Sequence, residues 1–329
     1  PEAKLNLAEN LLEGDDNFIA VIETDETGNR REFSRRTLKE KVAKTVNGLK
    51  KIGVQSGDRV AAILPNRIEA LVSLLASASI GAIWTSCSPD FGTKGIIDRI
   101  GQTTPKVLFT TSIYRYNNKE HDFSSRISEI VASLDGLDSV IVVDDKNINI
   151  SNKSYNYTLF NEFGINSNLE FIRLPFSHPS YILYTSGTTG APKAIVHSIG
   201  GTILQHFKEH KLHNDLKPRD KIMWYTNIAW MMYHWVVSSL GCNATLVLYD
   251  GVPIIKRNDH LDGSLLWKVA EQEKLTHMGV SPKYMSTLED IKEIPIEKYN
   301  LENLRWLLAA GSPVAPNQFE WFYKKVKKN

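Results

Sequence analysis

Two cysteines, Cys87 and Cys242, are all that the 329 residues contain, and each sits among apolar neighbours far from the other. That excludes a disulfide framework and thiolate metal spacings such as C-x-x-C, and makes a reducing compartment, the cytoplasm, the simplest setting. Both cysteines read as core residues rather than nucleophiles. A long hydrophobic run is also lacking. The longest, Ala70 to Trp84, is interrupted by serines and too short to span a bilayer. No signal-peptide pattern is present. Nor is there an excess of one charge. A formal net charge of +2 gives no electrostatic reason to expect nucleic acid or a membrane surface as partner. The sequence starts at Pro1 without an initiator methionine and stops after the basic run "YKKVKKN", so both ends read as cuts in something longer.

What is present is ordinary globular composition, 42% hydrophobic and 23% charged, enough for a sizeable core. Helical and strand patterns alternate. Ser34 is placed to cap a helix whose Leu38, Val42, Val46 and Leu49 recur at helical spacing before Gly53. "RVAAIL" (59–64) reads as a buried strand, with Asn66 as cap of the next helix. "AIWTSC", "KVLFTT", "SVIVVD", "YILYT", "AIVH", "IMWYT", "ATLVLY", "HMGV" and "LRWLLAA" read as further strands. Such alternation predicts an α/β fold: two stacked parallel-sheet subdomains covered by helices. The polar, Asn-rich stretch before "YILYT" reads as an exposed connection. The predicted division is residues 1–150, an irregular connection over 151–180, and residues 181–329.

Between two apolar runs lies "YTSGTTGAPKAIVH", Tyr184 to His197. Following a strand, the loop falls at the carboxyl end of a parallel sheet, where open α/β folds bind ligands. Gly187 and Gly190 permit the positive φ that lets consecutive amides form an anion-binding nest. Thr185, Ser186, Thr188 and Thr189 supply hydroxyls, and Lys193 supplies a positive charge. The combination suits a polyphosphate. It is not a Walker A loop: the glycines are three apart, Ala191 and Pro192 precede the lysine, and Pro192 prevents the loop from running straight into a helix.

This string closely resembles the phosphate loop of the adenylate-forming enzymes, which include acyl-CoA synthetases, luciferases and peptide-synthetase adenylation domains. "GDRVAAILPNRIEALVSLLASASIGAIWTSCSPDFG" resembles the amino-terminal region of short-chain acyl-CoA synthetases. "SCSPDFG", "WYTNIAWMMYHW", "LVLYDGVP" and "KLNLAENLL" are most similar to the branch of that family that activates acetoacetate. The resemblance extends over essentially the whole chain. It implies a ligase whose substrates are ATP, acetoacetate and CoA, with Mg²⁺, and whose reaction passes through an acyl-adenylate. Acetyl- or propionyl-CoA synthesis is the near alternative, and a non-catalytic nucleotide or acyl sensor the alternative of another class. A phosphotransferase is disfavoured by the lack of Gly-Lys-Ser/Thr.

The resemblance assigns Thr185, Ser186, Gly187, Thr188, Thr189, Gly190 and Lys193 to the ATP phosphates, with Lys193 and Thr188 acting in catalysis. It places Gly311, Ser312 and Pro313 against adenine, and Trp230, Met231, Met232 and Ala310 around the acyl group. Most of "WYTNIAWMMYHW" otherwise reads as aromatic core packing, and His234 suits either a substrate contact or the core. Arg115 and Lys119 read first as a solvated charge cluster, and the resemblance adds a CoA-phosphate role. Asp90 reads as a helix cap. By the same resemblance, the Thr-Glu pair that holds Mg²⁺, a ribose-binding aspartate and a small carboxyl-terminal domain would follow Asn329. No metal ligand is assigned, and the 329 residues alone are expected to be inactive.

Overall fold

The Ser34 side chain accepts a hydrogen bond from the Thr37 amide, and the helix Arg35–Lys51 runs from it to Gly53, whose φ of +77° lets the chain turn away. This is a computed structural model, and it describes residues 2–144, 156–185, 190–257 and 260–327.

Two sheets dominate. The first has seven strands, ordered Asn156–Leu159, Ser139–Val142, Val107–Thr110, Arg59–Ile63, Ile83–Cys87, Pro179–Tyr184 and Ala194–Ser198. All neighbours are parallel except the last pair. The second has six strands, ordered Trp306–Ala309, His277–Val280, Lys221–Trp224, Thr245–Asp250, Ile19–Asp25 and Arg30–Ser34, again parallel except for the last pair. One apolar cluster joins them, with Val60, Trp84 and Val107 of the first sheet and Ile222, Leu246 and Leu248 of the second.

Each sheet draws strands from both sides of the Asn-rich stretch. Ile19–Asp25 pairs with Thr245–Asp250 in the second sheet, and Pro179–Tyr184 pairs with Ile83–Cys87 in the first. The stretch itself is not all connection. Residues 145–155 lie outside the described residues, but Asn156–Leu159 is a parallel strand at the sheet edge. Its side chains are exposed or half-buried, so the buried-strand pattern never formed. The first strand pair, residues 19–34, carried no assignment from sequence.

The helix Ile68–Ser79 is apolar on nearly every face and buried on nearly every face. Its serines are accommodated because Ser73, Ser77 and Ser79 each donate to the carbonyl four residues earlier, at 2.8 Å. Asn66 does not cap it. The cap position is Arg67, with no side-chain hydrogen bond, and the Ile68 amide donates instead to Glu23 Oε2 at 2.7 Å. A carboxylate at a helix amino terminus is favoured by the exposed amides and the helix dipole. Asn66 Nδ2 donates to the carbonyls of Thr226 and Tyr249, at 3.3 and 3.2 Å, tying the end of a first-sheet strand to two strand ends of the second. Among the described residues no helix is long and apolar enough to cross a membrane.

Candidate functional site

The two sheets direct the carboxyl ends of several strands toward one cavity of about 710 Å³. Asn66 follows the strand Arg59–Ile63, and Ser88 to Asp90 follow Ile83–Cys87. From the second sheet come Tyr225 to Asn227, Tyr249 to Gly251, Ser281, and Ala310 with Gly311. A hairpin, Ile113–Tyr116 paired with Lys119–Asp122, adds Tyr114, Arg115 and Tyr116. Strand ends in parallel sheets leave backbone groups and loops free to meet a ligand, which is why open α/β folds bind there.

Six of the residues given a binding role from sequence meet in this wall: Arg115, Trp230, Met231, Met232, Ala310 and Gly311. Trp230 is 46% exposed and Met231 40%, too open for core packing. Phe91 meets the Trp230 ring edge-on at 6.2 Å. The second half of the same segment is core. Tyr233, His234 and Trp235 are buried, and the His234 ring stacks on Tyr181 at 4.0 Å. Burial holds the His234 pKa well below its ordinary value, so that ring is neutral packing and not part of the wall.

Ser312 and Pro313 are exposed and lie outside the wall, as does Lys119, which faces solvent on the second strand of the hairpin. Ser186, Gly187, Thr188 and Thr189 lie outside the described residues. Their flanks are described. The Thr185 amide donates to the Lys193 carbonyl at 3.1 Å, and the Lys193 amide donates to Thr185 Oγ1 at 3.2 Å. These two bonds close the neck of the loop. Beyond it Ala194–Ser198 runs antiparallel to Pro179–Tyr184, so the loop joins two strands, in keeping with Pro192. Gly190 and Lys193 are exposed, Thr185 is half-buried, and none of the three lines the cavity. Lys193 Nζ has no hydrogen-bond or ion-pair partner among the described residues.

Asp90 is not a helix cap. Gly92 occupies that position of the helix Thr93–Ile100, and Asp90 stands in the cavity wall. Cys87 and Cys242 are buried, and burial pushes their thiols up to about 12 and about 11, which keeps them protonated and unreactive.

The family model of the AMP-binding enzymes matches residues 10–329. The chain belongs to this family. The acetoacetyl-CoA synthetase of Gallus gallus is 40% identical over 340 residues, covering 99% of this chain and 50% of that protein. The malonamoyl-CoA synthetase of Penicillium aethiopicum is 39% identical over 347 residues, covering 98% of this chain and 48% of that protein. Among solved structures, acetoacetyl-CoA synthetase from Streptomyces lividans matches with a TM-score of 0.90 at 36% identity, covering 99% of this chain and 50% of that one. The chain therefore spans about half the length of these relatives, and the last match bears out helix-covered parallel sheets.

Asp250 is among the wall residues of this AMP-binding chain that sequence reasoning passed over. Asp250 ends its strand inside the cavity, and burial pushes its carboxyl up to about 7. Arg67 opposes the shift from 3.5 Å, while Glu23, Asp25 and Glu26 reinforce it. Such an acid keeps its proton in the folded state at pH values where the unfolded chain has already lost it. Native stability therefore falls as pH rises from about 4 to about 7, by at most about 1.4 kcal/mol per pH unit. Asp250→Asn is expected to abolish this component of the slope. Urea unfolding of both proteins between pH 5 and 8 checks it, and parallel profiles would exclude the assignment. The available signal was two facing acidic strand ends, "ETDE" and "LYDG", but only their pairing shows that they meet.

Proposed function

We propose that the protein to which this chain belongs ligates a short 3-oxo acid, acetoacetate, to CoA at the expense of ATP. The observation that carries the reading is the cavity at the carboxyl ends of both sheets, where Trp230, Met231, Met232 and Ala310 meet beside Gly311. The similarity of an acetoacetyl-CoA and a malonamoyl-CoA synthetase supports a short acid with a second carbonyl. Methionine is unbranched and adaptable, so Met231 and Met232 suit an acyl chain longer than acetyl.

In the first step a carboxylate oxygen attacks the α-phosphorus of ATP, and the bond to pyrophosphate breaks. In the second the CoA sulfur attacks the acyl carbonyl and AMP leaves. Both are displacements at activated centres, so the protein's part is positioning and charge compensation. Lys193 and the hydroxyls of Thr185, Ser186, Thr188 and Thr189 balance the charge on the departing pyrophosphate, with Gly187 and Gly190 bringing backbone amides close. Gly311, Ser312 and Pro313 pack against adenine, and Arg115 meets a CoA phosphate. Lys119, exposed on the far strand of the hairpin, adds to the same positive field. Mg²⁺ accompanies ATP as substrate. Among the described residues no group of His, Cys, Asp or Glu converges to hold a metal, so no step is assigned to it. The buried, protonated thiols agree with a cytoplasmic setting.

The test is carboxylate-dependent ATP–pyrophosphate exchange by the full-length gene product, with acetoacetate, acetate, propionate and butyrate. Exchange fastest with acetoacetate is expected. A faster rate with another acid would keep the chemistry and overturn the substrate. No exchange with any acid would leave a nucleotide-binding sensor.

A further inference from the structure

The hairpin Ile113–Tyr116/Lys119–Asp122 belongs to neither main sheet. It is a partition. Tyr114 and Arg115 line the 710 Å³ cavity on one side and a second cavity of about 680 Å³ on the other, and Asp250 lines both. Two strands of four residues do not hold a fixed position in water on their own. Something must seat them.

At the base the seat is Asp144. It accepts from Thr111 Oγ1 at 2.6 Å and from the Ser112 amide at 2.7 Å. At the tip it is Glu26. The turn residues Asn117 and Asn118 have φ of +53° and +58°, the left-handed pair that a two-residue hairpin requires. Their amides donate to one carboxylate: Asn117 N to Glu26 Oε2 at 3.1 Å, and Asn118 N to Glu26 Oε1 at 2.6 Å. Glu26 Oε2 also accepts from the Val252 amide at 3.0 Å. Val252 follows Gly251, a wall residue with φ of +141°. A Cβ on Gly251 would lie 2.6 Å from Glu26 Cβ, so glycine is what allows the approach. Glu26 is 6% exposed and directly follows the strand Ile19–Asp25. One buried carboxylate thus fastens the hairpin tip to the turn after Thr245–Asp250 through three charge-assisted bonds. The hairpin in turn carries Arg115, the single cation among the described residues lining the 710 Å³ cavity.

We propose that Glu26 is a positioning residue. By seating the tip of the 113–122 hairpin it fixes Arg115 and Tyr116 in the cavity wall, and it acts on the step that uses CoA rather than on adenylation. Only the kinetic half of this statement rests on the reading given under Proposed function.

The experiment uses the full-length protein with Glu26→Ala, Glu26→Gln and a one-glycine insertion between Asn117 and Asn118. The insertion lifts the tip away from Glu26 while leaving the bond to Val252. Backbone hydrogen exchange at residues 117 and 118 is expected to accelerate by about tenfold or more in the alanine and insertion variants, and by less in the glutamine variant, which retains an acceptor oxygen. The KM for CoA is expected to rise by about tenfold, with carboxylate-dependent ATP–pyrophosphate exchange within about threefold of wild type. Wild-type protection of these amides in the alanine variant would overturn the seating. Faster amide exchange with an unchanged KM for CoA would overturn the positioning role, as would an equal loss in both half-reactions. If the alanine variant does not fold, the insertion carries the same test. Absence of any exchange in the wild-type enzyme would fall on the functional reading and leave the amide result to decide the seating.

Discussion

On the proposed reaction, Lys193→Ala in the full-length protein is expected to lower carboxylate-dependent ATP–pyrophosphate exchange by about a hundredfold or more, the usual scale for removing one contact that strengthens in the transition state. The loop neck fixes where the lysine backbone lies, through the Thr185–Lys193 pair of hydrogen bonds. Both bonds use backbone groups of residue 193, so alanine keeps them and removes only the ammonium. Fold and loop closure should therefore survive, and thermal unfolding should be unchanged. In the proposed reaction charge builds on pyrophosphate as the bond to the α-phosphorus breaks. The loss should accordingly fall on the rate more than on the KM for ATP. Near-normal exchange would remove Lys193 from the reaction.

Gly279→Ala should produce a large structural effect beside the cavity. Gly279 sits in the strand His277–Val280 directly opposite Trp224 of the neighbouring parallel strand. An added Cβ would lie 2.1 Å from Trp224 Cδ2 and 2.2 Å from Cε3. The indole cannot easily yield. It is 6% exposed and meets Trp235 edge-on at 5.3 Å, and it also lines the cavity. Overpacking of this kind costs about 1–3 kcal/mol. Relief is available toward the cavity, so the variant is expected both to unfold at a lower temperature and to bind the proposed acid substrate more weakly. Calorimetry and the tryptophan emission spectrum check the two parts. A midpoint within about 1 °C of wild type, with unchanged emission, would show that the ring has room that the structure denies it.

Much of the architecture was legible because burial leaves periodic marks. Ser34 and Gly53 bracket their helix, and the apolar runs 59–63, 83–87 and 277–280 are strands. Family resemblance singled out Trp230, Met231, Met232, Ala310 and Gly311, and more weakly Arg115, and the structure brings these six to one cavity. What escaped depends on pairing between remote segments. Periodicity says which side of a strand is buried, but not which strand lies beside it. Glu23, Glu26 and Asp250 gain their roles only when residues 19–25 lie beside residues 245–250. Asn66 looked like a cap because a polar residue before an apolar helix usually is one. Its amide is instead claimed by two carbonyls of the other sheet. The edge strand Asn156–Leu159 escaped for the opposite reason, since a strand paired on one side can remain polar.

The pairing of Ile19–Asp25 with Thr245–Asp250 also sets a schedule for biosynthesis. A ribosome releases the first strand more than two hundred residues before its partner. The seven strands between Arg59 and Ser198 can all assemble while "IAVIETD" still waits. At common elongation rates the delay is roughly ten to forty seconds. Through that interval the strand has only its hairpin partner Arg30–Ser34, and its other edge is open to pairing with another nascent chain. Chaperone dependence during translation should therefore concentrate on residues 19–25, and nonsense truncations ahead of Thr245 should aggregate through them.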